Sequence, residues 1–241
     1  MRLRTAPPRA ETWIYRKMVS QPAGRVEPGA LVRVEDREGR FVGQGFYNPR
    51  SEIELRLLSR SETPPLGAGW IRMAVRRAAR LRRDVLGLDA VTDAYRVVFS
   101  EADGLSGLIV DRYADVLSCQ VLSLGIHRAF ADIRIELLHL FSPRVIPVAA
   151  DARVAKKEGF PLPDGAGAAA RTVVQEYGLR FEVDPVEGHK TGFFLDQRDA
   201  RQRWGKQQQR NCANEPASDA GKAGQRHRKI AVPTLCHRIA V

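Results

Sequence analysis

The sequence predicts an α+β fold in which a small β-barrel precedes a second unit of mixed strands and helices. Three short runs near the start, 31–36, 40–48 and 52–59, alternate in part between apolar and polar residues, as half-buried strands do. Further along, the candidate elements follow the order strand, strand, helix, strand, strand. Such a segregated order is typical of an α+β layer and differs from a nucleotide-binding βαβ repeat.

The first unit reads as a compact, strongly bent sheet. Polar breaks at DREGR and NPRS separate its three runs, and Gly43 and Gly45 fall inside the second run. Because glycine inside a strand weakens regular pairing, this spacing predicts a bulge or a sharp bend. After TPPLGAG, a helix is predicted from about Trp70. Its expected apolar face comprises Trp70, Met73, Ala74, Ala78, Leu81 and Val85.

Four arginines, Arg72, Arg76, Arg80 and Arg83, form a second stripe on the same helix. One interpretation is an ordinary solvated basic face, which is the commoner use of such a stripe. The other is that the stripe contacts the phosphates of a nucleic acid. The sequence leaves both interpretations open, and the four arginines are its candidate RNA-binding residues.

The second unit is predicted to alternate hairpins with a helix. The pair Asp103-Gly104 stands between apolar runs and is a strong hairpin signal, because glycine accepts a positive φ. A third strand is expected within 114–126, a helix over 127–141 and a further strand near 145–151. Alternation of Leu179, Phe181 and Val183 with charged residues predicts a closing hairpin over 171–184.

Composition narrows the class of protein. An apolar fraction of 44% suffices for a core, and a net charge of +11 favours a polyanionic partner, nucleic acid before membrane. The three cysteines are widely spaced without a CxxC pair, so neither a disulfide framework nor a zinc site is expected. No apolar run reaches the roughly 20 residues that span a bilayer. These features predict a soluble cytoplasmic protein without a metal.

Residues 201–241 differ in character from the rest of the chain. They hold nine Lys and Arg against two Asp and Glu, with many Gln, Asn, Gly and Ala and no sustained apolar period. Such a segment buries too little apolar surface to offset its chain entropy. The sequence predicts a basic, disordered tail that only RNA or another partner would order.

Few residues look catalytic by their own pattern. Glu101, Asp103, Asp111 and Asp115 lie close in sequence, but turns and strand ends explain such acids better than a metal or a carboxylate pair. Cys119 sits amid apolar neighbours and is expected to be a buried small hydrophobe. The sequence contains no GxSxG, P-loop or GxGxxG motif.

Three longer stretches carry a family resemblance. They are YNPRSEIELRLLSR (47–60), FSEADGLSGLIVDRYADVLSCQ (99–120) and GLRFEVDPVEGHKTGFFLDQRDAR (178–201). They resemble the PUA-domain-containing class I methyltransferases that use S-adenosylmethionine (SAM), typified by the enzyme that makes 5-methylcytosine in 23S ribosomal RNA. The resemblance covers about residues 11–201.

The resemblance implies a domain plan. A PUA-like RNA-binding barrel would occupy 1–75 and a central α+β domain 76–186. Residues 187–200 would lead into a Rossmann-like methyltransferase domain, and 201–241 would be the basic tail. Ribosomal RNA is the implied partner and SAM the implied cofactor.

The segment GHKTGFFLDQR (188–198) is where the resemblance implies a cofactor-binding edge. The matching positions are Lys190, Thr191, Phe193, Phe194, Asp196, Gln197 and Arg198. An aromatic ring can flank adenine, an amide can hydrogen-bond it, and Arg or Lys can meet a carboxylate. The alternative is that Phe193 and Phe194 only anchor the start of a domain in a core.

The sequence departs from the family after Arg201. A glycine-rich turn, an acid-proline-proline loop and a nucleophilic cysteine are expected there, and Cys212 and Cys236 stand in no matching context. The Rossmann-like domain is therefore expected to be largely missing, with no catalytic residue assigned. The prediction is the RNA-binding N-terminal portion of a 23S rRNA cytosine-C5 methyltransferase, neither active nor expected to bind SAM alone. Alternatives are a stand-alone RNA-binding module with a basic tail, or a non-functional frameshifted fragment.

Overall fold

A computed structural model describes residues 1–6, 11–162, 170–186 and 193–203. The strands within these ranges are β1 (Trp13–Ile14), β2 (Leu31–Glu35), β3 (Phe41–Tyr47), β4 (Leu55–Ser59), β5 (Ala94–Phe99), β6 (Leu108–Tyr113), β7 (Val116–Val121), β8 (Val148–Ala149), β9 (Thr172–Glu176) and β10 (Leu179–Val183). The α-helices are α1 (Ala68–Arg80), α2 (Leu124–Phe141) and α3 (Ala152–Glu158). Strands and helices are thus mixed, as an α+β fold requires.

The first sheet has the order β1-β4-β3-β2 and is antiparallel throughout. β2, β3 and β4 lie inside the three runs predicted as strands. The register of β3 against β4 shifts between Gln44 and Gly45, which confirms the predicted irregularity. A Cβ at Gly45 would lie 2.0 Å from the carbonyl oxygen of Arg56, so the two strands approach too closely there for any larger residue.

Helix α1 begins near its predicted start, but its apolar face is rotated from the expected one. The buried side chains are Trp70, Ile71, Ala74, Val75, Ala78 and Ala79. Met73, Leu81 and Val85, which were expected on that face, are exposed. The reason is that Ile71 and Val75 complete the buried stripe, while Leu81–Val85 continues as a π-helical turn that changes the angular phase of the side chains.

The second sheet has the order β5-β6-β7-β8, with β8 parallel to β7 and the other pairs antiparallel. β5 and β6 form the predicted hairpin, although their connection is a 3₁₀ turn over Ser100–Asp103 that ends at Gly104 with φ 72°. Helix α2 starts earlier than predicted, since the Ser123 hydroxyl caps it by accepting from the amide of Ile126.

The observed order of elements differs from the predicted order of strand, strand, helix, strand, strand. Three strands precede α2, and the short strand β8 and the seven-residue helix α3 follow it. Helix α3 was missed because it is too short to show a helical period. β9 and β10 pair as the predicted closing hairpin in a sheet of their own.

One apolar core joins the first sheet to the second layer. Phe46 of β3 and Leu58 of β4 are buried in the same cluster as α1, α2 and β5–β7. A Cβ at Gly125 of α2 would lie 2.1 Å from Cγ of Phe46, so the helix meets β3 at van der Waals distance only because this residue is glycine. Met1–Arg198 forms one compact unit.

The second unit by contacts is Asp199–Val241. Its described residues, 199–203, are helical. The predicted disordered tail falls mostly on 204–241, which lie outside the described residues. That prediction therefore stays open.

Candidate nucleic-acid interface

The predicted RNA-binding stripe on α1 contacts helix α2 through its second arginine. Arg76 donates two hydrogen bonds to the carboxylate of Glu136, at 2.9 and 3.0 Å, and Glu136 is almost fully buried. The guanidinium thereby compensates a carboxylate that α2 has withdrawn from water. Arg76 is accordingly engaged in holding the two helices together.

Two further members of the stripe have local carboxylate partners. Arg80 lies 3.4 Å from Asp84, and Arg83 donates to Asp89 at 2.9 Å and to the carbonyl of Leu140 at 3.1 Å. Arg72 forms no ion pair within the described part of the chain. The stripe is therefore largely neutralised by neighbours, and its contact with RNA stays a prediction. The sequence could not show this pairing because Glu136 lies far downstream of Arg76.

The acids Glu101, Asp103, Asp111 and Asp115 are bonded to neighbouring groups in the structure, and three of them lie in turns as expected, whereas Asp111 lies buried inside β6. Asp103 accepts from Arg82 at 2.9 Å and from the amide of Phe99 at 2.6 Å. Asp111 accepts two bonds from Arg96, and Asp115 accepts one from Arg144 at 2.7 Å. Among the described residues, no group of three His, Cys, Asp or Glu side chains could hold a metal ion.

Cys119 lies in the middle of β7 with no exposed surface. Burial raises the pKa of its thiol far above the ordinary value, so the reactive thiolate does not form at neutral pH. The interpretation of Cys119 as a buried small hydrophobe agrees with this environment. Cys212 and Cys236 lie outside the described residues.

The candidate cofactor edge is described from Phe193 onward, so Lys190 and Thr191 lie outside the described residues. Phe193 packs against Phe181 with ring centroids 5.3 Å apart, in the small core of the β9–β10 hairpin. This packing supports the interpretation that Phe193 anchors the start of a domain in a core.

After Phe193, most side chains of the candidate cofactor edge are exposed. Leu195–Gln197 forms a 3₁₀ turn on which Phe194, Asp196 and Gln197 are exposed, whereas Arg198 is half-buried. The pKa of Arg96 is raised chiefly by the hydrogen bonds that it donates to Asp111, and the Asp196 carboxylate lies close enough to contribute as well. An exposed ring, a carboxylate and an amide thus share one turn. Their role toward a cofactor stays a prediction.

A buried carboxylate joins the first sheet to the second layer. Glu158, the last residue of α3, is 4% exposed. Its oxygens accept from Asn48 Nδ2 at 2.9 Å, Ser51 Oγ at 2.6 Å, the Arg56 guanidinium at 3.2 Å and the Leu124 amide at 3.2 Å. The loop between β3 and β4, strand β4 and the start of α2 therefore converge on one side chain.

Basic residues lie on the segments that meet at this junction. A Cβ at Gly159 would lie 2.7 Å from Cδ and Nη1 of Arg50, so the Arg50 side chain passes directly over the end of α3. Arg16 donates to the carbonyls of Arg50 and Ser51, at 2.9 and 3.1 Å. Lys156 and Lys157, in the last turn of α3, are exposed. We call Arg16, Arg50, Lys156 and Lys157 the junction patch.

Little in the sequence indicates the junction patch. Its members come from three places along the chain, and the adjacent pair Lys156-Lys157 is the one local signal. The segments that carry them meet because Glu158 attaches α3 to the loop that carries Arg50.

An exposed indole lies on the other side of Arg56. Trp13 of β1 is 37% exposed, donates through Nε1 to Glu101 at 2.8 Å, and lies with its ring centroid 5.7 Å from the Arg56 guanidinium. Burial alone would raise the pKa of Glu101, but hydrogen bonds from Ser106, Ser100 and Trp13 lower it overall. Glu101 is thus held ionised and fixes the indole.

The region that contains the first sheet matches a known domain family. Residues 9–60 match the family model of a PUA-like domain, which spans β1 to β4. The PUA-like part of the predicted resemblance is confirmed.

Curated relatives extend the likeness to most of the chain. Ribosomal RNA large subunit methyltransferase I of Vibrio cholerae serotype O1 is 35% identical over 197 residues, covering 80% of this chain and 49% of that protein. The protein of the same name from Shewanella denitrificans is 35% identical over 199 residues, covering 80% and 50%. The chain spans about half the length of these relatives. Target base, catalytic competence and the predicted loss of the Rossmann-like domain stay predictions.

Solved structures agree on the fold. A SAM-dependent methyltransferase from Streptococcus mutans superposes with a TM-score of 0.57 at 17% identity, covering 75% of this chain and 46% of that one. A methyltransferase crystallised with SAH gives a TM-score of 0.57 at 18% identity, covering 73% and 44%. Identities this low show a shared fold. None of the helices in the described part of the chain is both long and apolar enough to cross a membrane.

Proposed function

We propose that this chain forms the RNA-docking half of a SAM-dependent ribosomal RNA methyltransferase that acts on carbon 5 of a cytosine in 23S rRNA. The observation that carries the proposal is the 35% identity over 80% of the chain to proteins named ribosomal RNA large subunit methyltransferase I. The alignment covers far more than the PUA-like residues 9–60. The likeness is therefore to a methyltransferase architecture and not to a PUA-like domain alone.

The two layers of the described chain would hold the RNA. The PUA-like sheet and the second sheet share an apolar core and the Glu158 junction, so they can present one continuous rigid surface to a folded RNA. A rigid surface suits structured RNA, which proteins recognise by shape and backbone contacts.

The exposed turn after Phe193 fits one edge of a SAM site. SAM would supply an electrophilic methyl group for transfer to the base. Phe194 offers an exposed ring that can stack on adenine, and Gln197 offers an amide that can hydrogen-bond it. Asp196 offers a carboxylate for a hydroxyl. These groups make one side of a pocket, and we propose that they do not hold SAM without further chain.

A second candidate is a stand-alone RNA-binding module. Residues 201–241 carry nine Lys and Arg against two Asp and Glu, which favours added non-specific affinity for RNA. This candidate shares the RNA docking and omits the cofactor.

The experiment is binding of the 241-residue chain to transcribed 23S rRNA, by filter retention from 50 to 300 mM KCl. We expect an affinity that falls linearly in a plot of log K against log salt, as counterion release requires. Failure to bind at 50 mM KCl would overturn both candidates.

Two further measurements separate the candidates. Deleting the gene and analysing 23S rRNA nucleosides by mass spectrometry should remove one 5-methylcytosine if the methyltransferase proposal holds, and none if the chain is a separate module. Calorimetry with SAM should show no binding at micromolar concentration, and clear binding would contradict the incomplete pocket.

A further inference from the structure

We propose that the junction patch, Arg16, Arg50, Lys156 and Lys157, binds the phosphate backbone of RNA where the PUA-like sheet meets α3. This inference rests on the proposed function and deepens it, since it names the surface that takes the RNA. It also differs from the candidate that the sequence suggested, the α1 stripe.

The first reason is that most of these charges lack local compensation. Arg50, Lys156 and Lys157 form no ion pair with any carboxylate in the described part of the chain. Arg16 is partly compensated, since it lies 3.7 Å from Glu52 and also interacts with the buried Glu54, so the uncompensated charges of the patch are those of Arg50, Lys156 and Lys157. A group of uncompensated cations creates a local positive potential that attracts a polyanion.

The second reason is that the patch is fixed in place. Glu158 is adjacent to Lys157 in the chain, and its carboxylate is bonded to Asn48 and Ser51 on the loop that carries Arg50. Arg16 bonds the backbone of the same loop. These bonds hold the backbone that carries the patch in one arrangement, so less conformational entropy is lost on binding than if these segments also had to be ordered.

The third reason is the contrast with α1. There Arg76, Arg80 and Arg83 each have a carboxylate within 3.4 Å. A phosphate that approached Arg76 would meet the Glu136 carboxylate already bonded to it, whose negative charge weakens the attraction. Lys156 and Lys157 have no such carboxylate among the described residues. Charge complementarity therefore favours the junction patch for RNA.

The test compares matched double variants of the full chain on a transcribed 23S rRNA fragment. Lys156→Gln/Lys157→Gln removes two patch charges, and Arg134→Gln/Arg180→Gln removes two exposed charges from α2 and β10. Each lost phosphate contact lowers the slope of log K against log salt by about 0.7 to 0.9. We expect the patch variant to lose about 1.4 to 1.8 from the slope, and the control to keep the wild-type slope.

The outcomes are distinguishable. If wild type does not bind the RNA, the proposed function fails and this inference fails with it. If wild type binds and the patch variant keeps the wild-type slope, or the control loses as much, only the patch is overturned. A lower slope in Arg72→Gln/Arg80→Gln, without one in the patch variant, would assign the contact to the α1 stripe. Unchanged thermal melting curves show that the variants fold.

A second readout needs no substitution. Acetylation of lysines by an N-hydroxysuccinimide ester, followed by peptide mass spectrometry, should slow several-fold at Lys156 and Lys157 when the 23S rRNA fragment is bound. Equal rates with and without RNA would contradict the inference even if the chain binds RNA elsewhere.

Discussion

Glu158 is the side chain on which the joint between the PUA-like sheet and the second layer most depends. Replacing it with alanine removes the carboxylate acceptor shared by four donors, on Asn48, Ser51, Arg56 and the Leu124 amide, although Asn48 Nδ2 keeps its bond to the backbone carbonyl of residue 158 and Arg56 keeps Glu101 at 4.0 Å. Hydrogen bonds to a charged group contribute about 1.5–3 kcal/mol each, but neighbouring bonds do not add. Removing one partner of a buried ion pair costs about 3–5 kcal/mol. We therefore expect Glu158→Ala to lower the free energy of unfolding by about 4 kcal/mol.

Glu158→Gln should cost less, about 2 kcal/mol, because one acceptor oxygen remains while the amide nitrogen faces donors. The assay is urea unfolding followed by far-ultraviolet circular dichroism and tryptophan fluorescence, since Trp13 stacks on Arg56 beside the joint. Glu182→Ala, at an exposed position of β10, is the control and should change stability by less than about 0.5 kcal/mol. A loss below about 1 kcal/mol for Glu158→Ala would refute the reasoning.

Two other variants test packing and charge. Gly125→Ala should destabilise the fold by about 2 kcal/mol despite alanine's better helix propensity, since its Cβ would lie 2.1 Å from the Phe46 ring. Gly69→Ala is the control and should not destabilise the fold, because nothing lies within 4 Å of the added Cβ. Equal thermal melting temperatures for the two variants would contradict this reasoning. Burial, followed by the hydrogen bond to Asp89, raises the pKa of Tyr95 to about 12. The folded state thus favours the neutral phenol, so about 3 kcal/mol of stability is present below pH 10 and lost as pH rises toward 12. The urea midpoint of Tyr95→Phe should therefore fall less steeply with rising pH than the midpoint of the wild type over that range. Parallel curves of midpoint against pH would count against the raised pKa of Tyr95.

Local pattern predicted most elements of the described fold. Partial alternation placed β2, β3 and β4, and Gly43 and Gly45 indicated the irregularity in β3. Asp103-Gly104 indicated the β5–β6 hairpin. These signals are short-range, because a turn or a strand depends on residues a few positions apart.

The candidate sites were only partly accessible to the same reasoning. The α1 stripe was visible as four arginines at helical spacing, but its pairing with Glu136 was not, since α2 meets α1 only after folding. The predicted apolar face of α1 was also wrong, because helical periodicity in the sequence does not reveal the π-helical turn at Leu81–Val85.

By itself, then, the sequence determined the α+β character, the excess of positive charge and the stretches that resemble RNA methyltransferases. The tertiary structure decided which of those charges are compensated. Arg76 finds Glu136, whereas Lys156 and Lys157 meet no carboxylate among the described residues. The physical reason is that a charge's role depends on its nearest opposite charge in space, and that neighbour is set by how the helices and sheets pack.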